Sequence, residues 1–502
     1  MSEQSMKKGT MAKDTIVYML AKGIEGVVGI VTMSVMTKLF VEALMGRYAT
    51  VNIAITTVGM VCIQWLVQSC LRYINKYDIL GEQDTFYATV AGAWLRVNII
   101  AVIAFAAIIA AVCGLSLNMG WAADFMEKYP VTLLALGGMW FVTYNTAQLI
   151  IAMLAAMRKA KLNLLLSLIT VCGKLGIMWA LCLLFDSRLE WIFLSYFLTD
   201  GVVSLIGITE LKIYRYINRK KESKEILREL KSYGMPLMGN MLTTSVLNKS
   251  DIYIVIFLIS ETAAGIYQTN YSLIATAFTL LSASVMRGSY PTILRTWGEG
   301  NKDLAERLVG EAVRLYLLVA LPAVAGVAAV SDVTAKALFA PGYFEGNTIM
   351  FWVALGMMFL GLTEYSIKYW ELNADTKAIF CRSLIGGCVN VILNLILIKL
   401  FKSYYIAAVT TFIGFFVYFL LARFGTRKYM SWHLKGICYV RIISASLIMF
   451  AGIVAIKRIL PYTVISLGLI VIFGVLVYGF VLYLTGEIKP EVAAITAKLR
   501  NR

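Results

Sequence analysis

Apolar runs of about 20 residues recur from one end of this sequence to the other, each long enough to cross a hydrocarbon core roughly 30 Å thick. A segment that spans lipid has to satisfy its own backbone hydrogen bonds, so runs of this length read as transmembrane helices. The composition agrees. Of 502 residues, 60% are hydrophobic and 15% charged, and the mean hydropathy is +0.77. A soluble protein of this size needs far more polar surface. The first run follows Lys7, Lys8 and Lys13 and is too long for the apolar part of a signal peptide, so it reads as an uncleaved helix.

The fold class predicted is an all-α polytopic membrane protein of about 14 spans, near 14–40, 48–71, 88–114, 130–157, 162–185, 190–212, 233–259, 262–287, 310–331, 348–372, 378–399, 404–423, 439–457 and 462–485. Pro130 and Pro461 precede spans and Pro341 falls in a loop. Pro236 falls in the first turns of the seventh span, and Pro322, inside the ninth, should kink or soften its helix. Charge tests the count. With the N-terminus inside and alternating spans, roughly 32 of the basic residues fall in inside segments and about 8 in outside loops. Both termini are then cytoplasmic. The net charge of +17 is mainly this asymmetry, spread along one membrane face, and gives no support to nucleic-acid binding. The eight cysteines form no C-x-x-C pair and read as small apolar packing residues. His433, the one histidine, has no ligand-spaced partner, so no metal site is expected. There is no Ser/His/Asp constellation, phosphate-binding glycine loop or ATP motif, so no enzyme is expected.

One phrase occurs twice. Glu42, Gly46, Tyr48 and Thr50 match Glu261, Gly265, Tyr267 and Thr269 in the pattern E-x-x-x-G-x-Y-x-T. Each copy follows the first span of a series, and an offset of about six spans puts both on the same side, as in parallel-repeat transporters. The glycines are expected in tight connections between helices, and the tyrosines in the interface belt with hydroxyls toward water. The domains follow: an N-terminal lobe over 1–212, a basic cytoplasmic linker over 213–232, a C-terminal lobe over 233–425, and two extra helices with a tail over 426–502. The linker alternates charge sign and reads as a surface helix, as does the segment from Arg295 to Arg314.

Twelve helices in two lobes plus two more, with "ALMGRYATVNIAI" after the first, resemble the Wzx-type polysaccharide flippases of the multidrug/oligosaccharidyl-lipid/polysaccharide exporter superfamily. "SETAAGIYQTNYSLI" is similar to the family's segment after its seventh helix, and "SYPTILRTWGEGNKDLAERL" to its proline-containing cytoplasmic loop. "LPAVAGVAAVSDVTAKALFAPGYFEG" and "NVILNLILIKLFKSYYIAAVTT" resemble later helices. The resemblance covers nearly the whole chain through loose motifs, and it implies the fold more firmly than the cargo.

Polar residues inside the spans carry the functional argument. A charge at the bilayer centre costs about 3 kcal/mol on insertion scales. Lys38, Arg96, Glu210 and Lys368 lie near span ends, where long side chains reach the interface. Lys22, Glu25, Lys174, Asp200, Lys249 and Asp251 lie deep and must face a wet cavity or one another. Lys22 and Glu25, three apart, share a face and can pair. Lys249 and Asp251, two apart, point roughly 200° from each other and should not. Lys174 and Asp200 can form a packing pair. Gln64 with Gln68, and Asn390 with Asn394, each share a face. The latter two suit either helix packing or an ion site.

The resemblance and these residues together imply a flippase. It would move a polyprenyl-diphosphate-linked oligosaccharide from the cytoplasmic to the outer leaflet of a bacterial cytoplasmic membrane, by alternating access through a cavity between the lobes. Lys22, Arg96, Lys174, Lys249, Gln64 and Gln68 are the expected substrate-binding residues. Glu25, Asp200, Asp251, Asn390 and Asn394 are the expected ion-coupling residues, with Na+ or H+ as coupling ion and no other cofactor. The expected partners are the bilayer, a glycan polymerase and glycosyltransferases. Two other classes fit the same spans. A multidrug or organic-cation antiporter should present mostly unpaired acids and aromatics. A non-transporting scaffold for glycan assembly needs no deep charge.

Overall fold

A computed structural model describes residues 23–489, apart from 158, 217–220, 374 and 431. The described residues form helices and connecting turns, and no strand occurs among them. In chain order the helices are α1 (23–39), α2 (Glu42–Ile79), α3 (Gln83–Ser116), α4 (Gly120–Lys128), α5 (Val131–Ala156), α6 (Ala160–Leu184), α7 (Leu189–Glu210), α8 (Lys224–Leu258), α9 (Glu261–Gly298), α10 (Lys302–Leu338), α11 (Asn347–Ser366), α12 (Lys368–Leu372), α13 (Thr376–Phe401), α14 (Tyr404–Thr426), α15 (Gly436–Ile456) and α16 (Val464–Thr485). Single 3-10 turns lie at Ile213–Tyr216 and Pro341–Gly346.

Eleven of these segments are long and apolar enough to cross a membrane. The other three anticipated spans coincide with α1, α8 and α9. The lipid-facing surface is visible in the exposure pattern. On α3 the buried side chains stop at Asn98, while Ile99, Ile100, Val102, Ile103 and Ile108 are exposed, as a helix with its outer part in acyl chains requires.

The chain divides into two compact units, Met1–Lys249 and Ser250–Arg502, so the division falls within α8. In the first unit α5 packs on both α2 and α7, and α6 packs on α7. In the second α11 packs on both α9 and α14, and α13 packs on α14. The same pairs of long helices, counted within each unit, are thus in contact. The remaining helices, α15 and α16, pack on each other and on α10, burying Ala329, Val330, Val333, Met449, Ile453 and Ile470 together.

Several sequence-based expectations are corrected. The repeated phrase lies inside helices: Glu42 and Glu261 are the first residues of α2 and α9, where an acidic side chain favours the helix dipole. The connection needs only the residues just before each glutamate. Gly46 and Gly265 are therefore buried helical residues without positive φ. Tyr48 and Tyr267 are buried as well, not interfacial. The charged stretch from Lys224 to Lys231 is continuous with the seventh span in α8, so Pro236 sits in a helix interior. The segment from Arg295 to Arg314 is likewise no separate surface helix. α9 runs through Pro291 to Gly298, Gly300 takes the left-handed turn conformation at φ +81°, and α10 starts at Lys302. Pro322, by contrast, lies inside α10, where the sequence places it.

Candidate functional site

Among the described residues Asp200 in the first unit and Asp251 in the second are buried within membrane-spanning helices, and the two are neutralised differently. In the first unit Asp200, on α7, is buried. Lys174 on α6 places its Nζ 2.8 Å from Asp200 Oδ2, and Trp140 Nε1 on α5 donates to the same oxygen at 2.8 Å. The ammonium also lies over the Tyr196 ring, 4.9 Å from its centroid, and 5.8 Å from that of Trp140, a geometry in which the ring quadrupoles attract it. Tyr196 in turn shares a 2.9 Å hydrogen bond with the hydroxyl of Tyr48, the tyrosine of the repeated phrase.

In the second unit Asp251, near the end of α8, is buried. Asn394 Nδ2 on α13 donates to its Oδ1 at 2.6 Å. Tyr267 on α9 donates to Oδ2 at 3.1 Å, and Thr411 on α14 donates to the same oxygen. Asn390, one turn from Asn394, is tied in through Thr411 at 3.3 Å and through Asn394 at 2.5 Å. Thr410 donates to Asn394 Oδ1. Small residues let α13 and α14 come this close. A Cβ on Gly414 would sit 2.8 Å from the Cβ of Asn390, and one on Gly386 would sit 2.9 Å from that of Tyr418. Among the described residues no basic group pairs with Asp251. Three donors solvate the carboxylate, but no whole positive charge balances it, and a buried charge of that kind is costly.

The other expected residues are distributed as follows. Lys249, half-buried on α8, donates to Thr56 Oγ1 on α2 at 3.3 Å, and no carboxylate among the described residues pairs with it. As the spacing predicts, Lys249 and Asp251 have separate partners. Arg96 forms a 2.6 Å ion pair with Glu222, just before α8. Gln64 and Gln68 are half-buried one turn apart on α2, and Glu25 is half-buried on α1. Lys22 lies outside the described residues. The structure thus joins Lys174 to Asp200, and Asp251 to Asn390 and Asn394, and keeps Arg96 apart. Among the described residues no group of three or more His, Cys, Asp or Glu side chains could hold a metal. Sequence reasoning missed Trp140, Tyr196, Thr410 and Thr411. Their residue types are ordinary in a span, and only the twice-placed tyrosine gave a signal.

Two family models match, each over more than half of the chain: "Polysaccharide biosynthesis protein" over residues 11–297 and "Lipid II flippase MurJ" over residues 200–475. The chain belongs to the multidrug/oligosaccharidyl-lipid/polysaccharide exporter superfamily. Solved structures of this superfamily share its fold. The lipid II flippase MurJ in an inward closed conformation superposes with a TM-score of 0.70 at 15% identity, covering 93% of this chain and 98% of that one. An inward-facing multidrug-resistance MATE family transporter gives 0.65 at 14% identity, covering 81% and 94%. Among curated proteins no sequence matches. Membership in this superfamily makes the chain a multi-pass membrane protein of the flippase and exporter fold.

Proposed function

We propose that the protein flips an oligosaccharide linked to a polyprenyl diphosphate across the bacterial cytoplasmic membrane, from the inner to the outer leaflet, by alternating access. Both termini face the cytoplasm, and movement is coupled to a cation gradient. The observation that carries this reading is Lys249. It is an ammonium group inside a membrane-spanning helix, held by one threonine hydroxyl and paired with no carboxylate among the described residues. Such a charge is stable only beside an anion or water, and a diphosphate passing this point supplies the anion. The family models for a polysaccharide biosynthesis protein and a lipid II flippase support the same cargo class.

Asp251 with Asn390, Asn394, Thr410, Thr411 and Tyr267 is the coupling site in this proposal. Oxygen-rich, and with no basic side chain on the carboxylate among the described residues, it suits Na+ or H+ as transported cargo. Gln64 and Gln68, half-buried on α2, stay in the cargo path of this proposal. Arg96 and Glu222 would act at the cytoplasmic end. Glycan polymerase and glycosyltransferases would then be neighbours in the pathway.

Reconstitution in vesicles with a short-chain polyprenyl-diphosphate oligosaccharide tests the reading. Lys249→Gln should slow its movement between leaflets about tenfold or more, the loss of one charge-assisted contact, with protein content of the vesicles unchanged. Unimpaired flipping by this variant would remove Lys249 from the path. Transport of a lipophilic organic cation, with the lipid-linked sugar left immobile, would instead establish the multidrug-antiporter reading that the unpaired Asp251 also permits.

A further inference from the structure

Asp200 and Asp251 lie on different helices of their units, α7 and α8, but each is buried near a tyrosine of the repeated phrase. Tyr48 and Tyr267 of the repeated phrase each reach the surroundings of one of these carboxylates. There the hydroxyl of Tyr48 bonds to that of Tyr196 on α7, and Tyr267 reaches Asp251 beside Thr411 of α14. Asp200 lies one turn beyond Tyr196 on α7. Around Asp251 every described neighbour that touches the carboxylate is a neutral donor. Around Asp200 one neighbour is an ammonium. Lys174 Nζ sits 2.8 Å from Oδ2 and within 6 Å of two aromatic rings, which is the environment of a bound cation.

We infer that the first unit carries its cation covalently: Lys174 is a tethered ion that permanently fills a cation site built around Asp200, Trp140 and Tyr196, so that a mobile coupling ion binds only at Asp251. This rests on the coupling role proposed for Asp251, and it fixes the stoichiometry of coupling at one cation per chain. Trp140 is part of the device. Its N–H and the ammonium share one carboxylate oxygen, so the carboxylate is fully compensated without an external ion. A tethered cation cannot be released on the far side of the membrane, and the Asp200 site therefore cannot take part in gradient coupling. Removing the side-chain ammonium while leaving the carboxylate should expose a second exchangeable site.

Equilibrium binding of radiosodium to the purified full-length protein, with choline keeping ionic strength constant, reads this directly. The wild type should bind one sodium per chain and Asp251→Asn none. Lys174→Ala should bind two, Lys174→Ala with Asp251→Asn one, and the triple variant with Asp200→Asn none. Ethylammonium present during purification and then exchanged away keeps the Lys174→Ala fold intact until the measurement. Lys174→Met, which keeps the volume without the charge, provides a second variant. A folded Lys174→Ala/Asp251→Asn protein that binds no sodium would overturn the inference. So would sodium bound by Asp251→Asn, with Lys174 intact, that Asp200→Asn abolishes. If wild type and Asp251→Asn bind the same non-zero amount of sodium, Asp251 is not the sodium site. The comparison of Lys174→Ala/Asp251→Asn with the triple variant still decides whether Lys174 is a tethered cation.

Discussion

At the scale of single residues, the membrane interior makes a few side chains decisive. Asp251 was legible in the sequence, as were Asn390 and Asn394, because charge and amides inside apolar runs are expensive and must be satisfied. The repeated phrase marks Tyr267 without its role, and Thr411, which completes the shell with it, carries no signal. A threonine in a span usually bonds back to its own helix, as Thr411 also does to Ala407 at 2.7 Å, and nothing in the sequence marks one that also bonds outward. The sequence reads Lys174 and Asp200 as a packing pair, and they do pair. What no spacing argument could supply is the cage of Trp140 and Tyr196 around the ammonium. If Asp251 is the coupling group, Asp251→Asn keeps the shape and the donors but removes the charge that attracts a cation. Flipping by this variant should become indifferent to the cation gradient, with protein remaining in the membrane. Measured in vesicles with and without a collapsed gradient, a variant as gradient-sensitive as the wild type would exclude Asp251 from coupling.

At the scale of elements, α8 and the crossing of α13 with α14 carry the argument. The alternating charges from Lys220 to Lys231 read as a solvated surface helix. The part described as α8 is instead docked on the first unit. Ser69 Oγ donates to the carbonyl of Leu230 at 2.7 Å, Ser223 N donates to Thr89 at 3.0 Å, and Glu229 accepts from Lys76 at 2.6 Å and from Tyr77. Charge alternation hides such partners, because the same pattern serves water and neighbours equally well. Burial pushes the Glu229 carboxyl up, but hydrogen bonds from Lys76 and Tyr77 and the charges of Lys76 and Arg72 outweigh it, so its pKa lies below the ordinary value of 4.5. A depressed folded-state pKa gives stability that is complete above that ordinary value and lost as pH falls through the lower folded one. The thermal midpoint of the wild type should therefore drop more steeply on acidification from about pH 6 to pH 3 than that of Glu229→Gln, and parallel curves would show that the contact contributes nothing. The α13–α14 crossing predicts a different loss. Gly414→Val places branched carbon where the Asn390 Cβ lies 2.8 Å from the first added atom. It should cost about 1–3 kcal/mol of stability and weaken any cation response at Asp251. A variant with unchanged thermal midpoint and unchanged sodium binding would mean that the crossing has room to spare.

At the scale of the whole molecule, the count of spans and the repeated phrase made the fold readable. They did so because hydropathy, charge asymmetry and an even offset constrain the same topology independently. The side-chain contacts within each unit obey that topology without having been used to derive it. In the second unit Lys457 pairs with Asp332 at 3.0 Å, joining two helix ends that alternation puts outside. Arg314 and Arg441 both reach Glu487, at 2.8 and 3.3 Å, joining three that it puts inside. In the first, Lys76 with Glu229 and Arg96 with Glu222 join inner ends, and Thr132 with Glu190 joins outer ones. An error of one span in either unit would put some of these partners on opposite membrane faces, roughly 30 Å apart. The alternation has a direct test. The native cysteines form no disulfide among the described residues and can be replaced by small residues, leaving a background in which one engineered thiol reports one loop. A membrane-impermeant maleimide applied to intact cells should label Arg188→Cys, in the loop before α7, and leave His433→Cys, in the loop before α15, unlabelled until the cells are permeabilised. Labelling of both in intact cells, or the reverse order, would break the alternation on which the cytoplasmic placement of the basic segments depends. An inward-to-outward direction of flipping would then lose its frame.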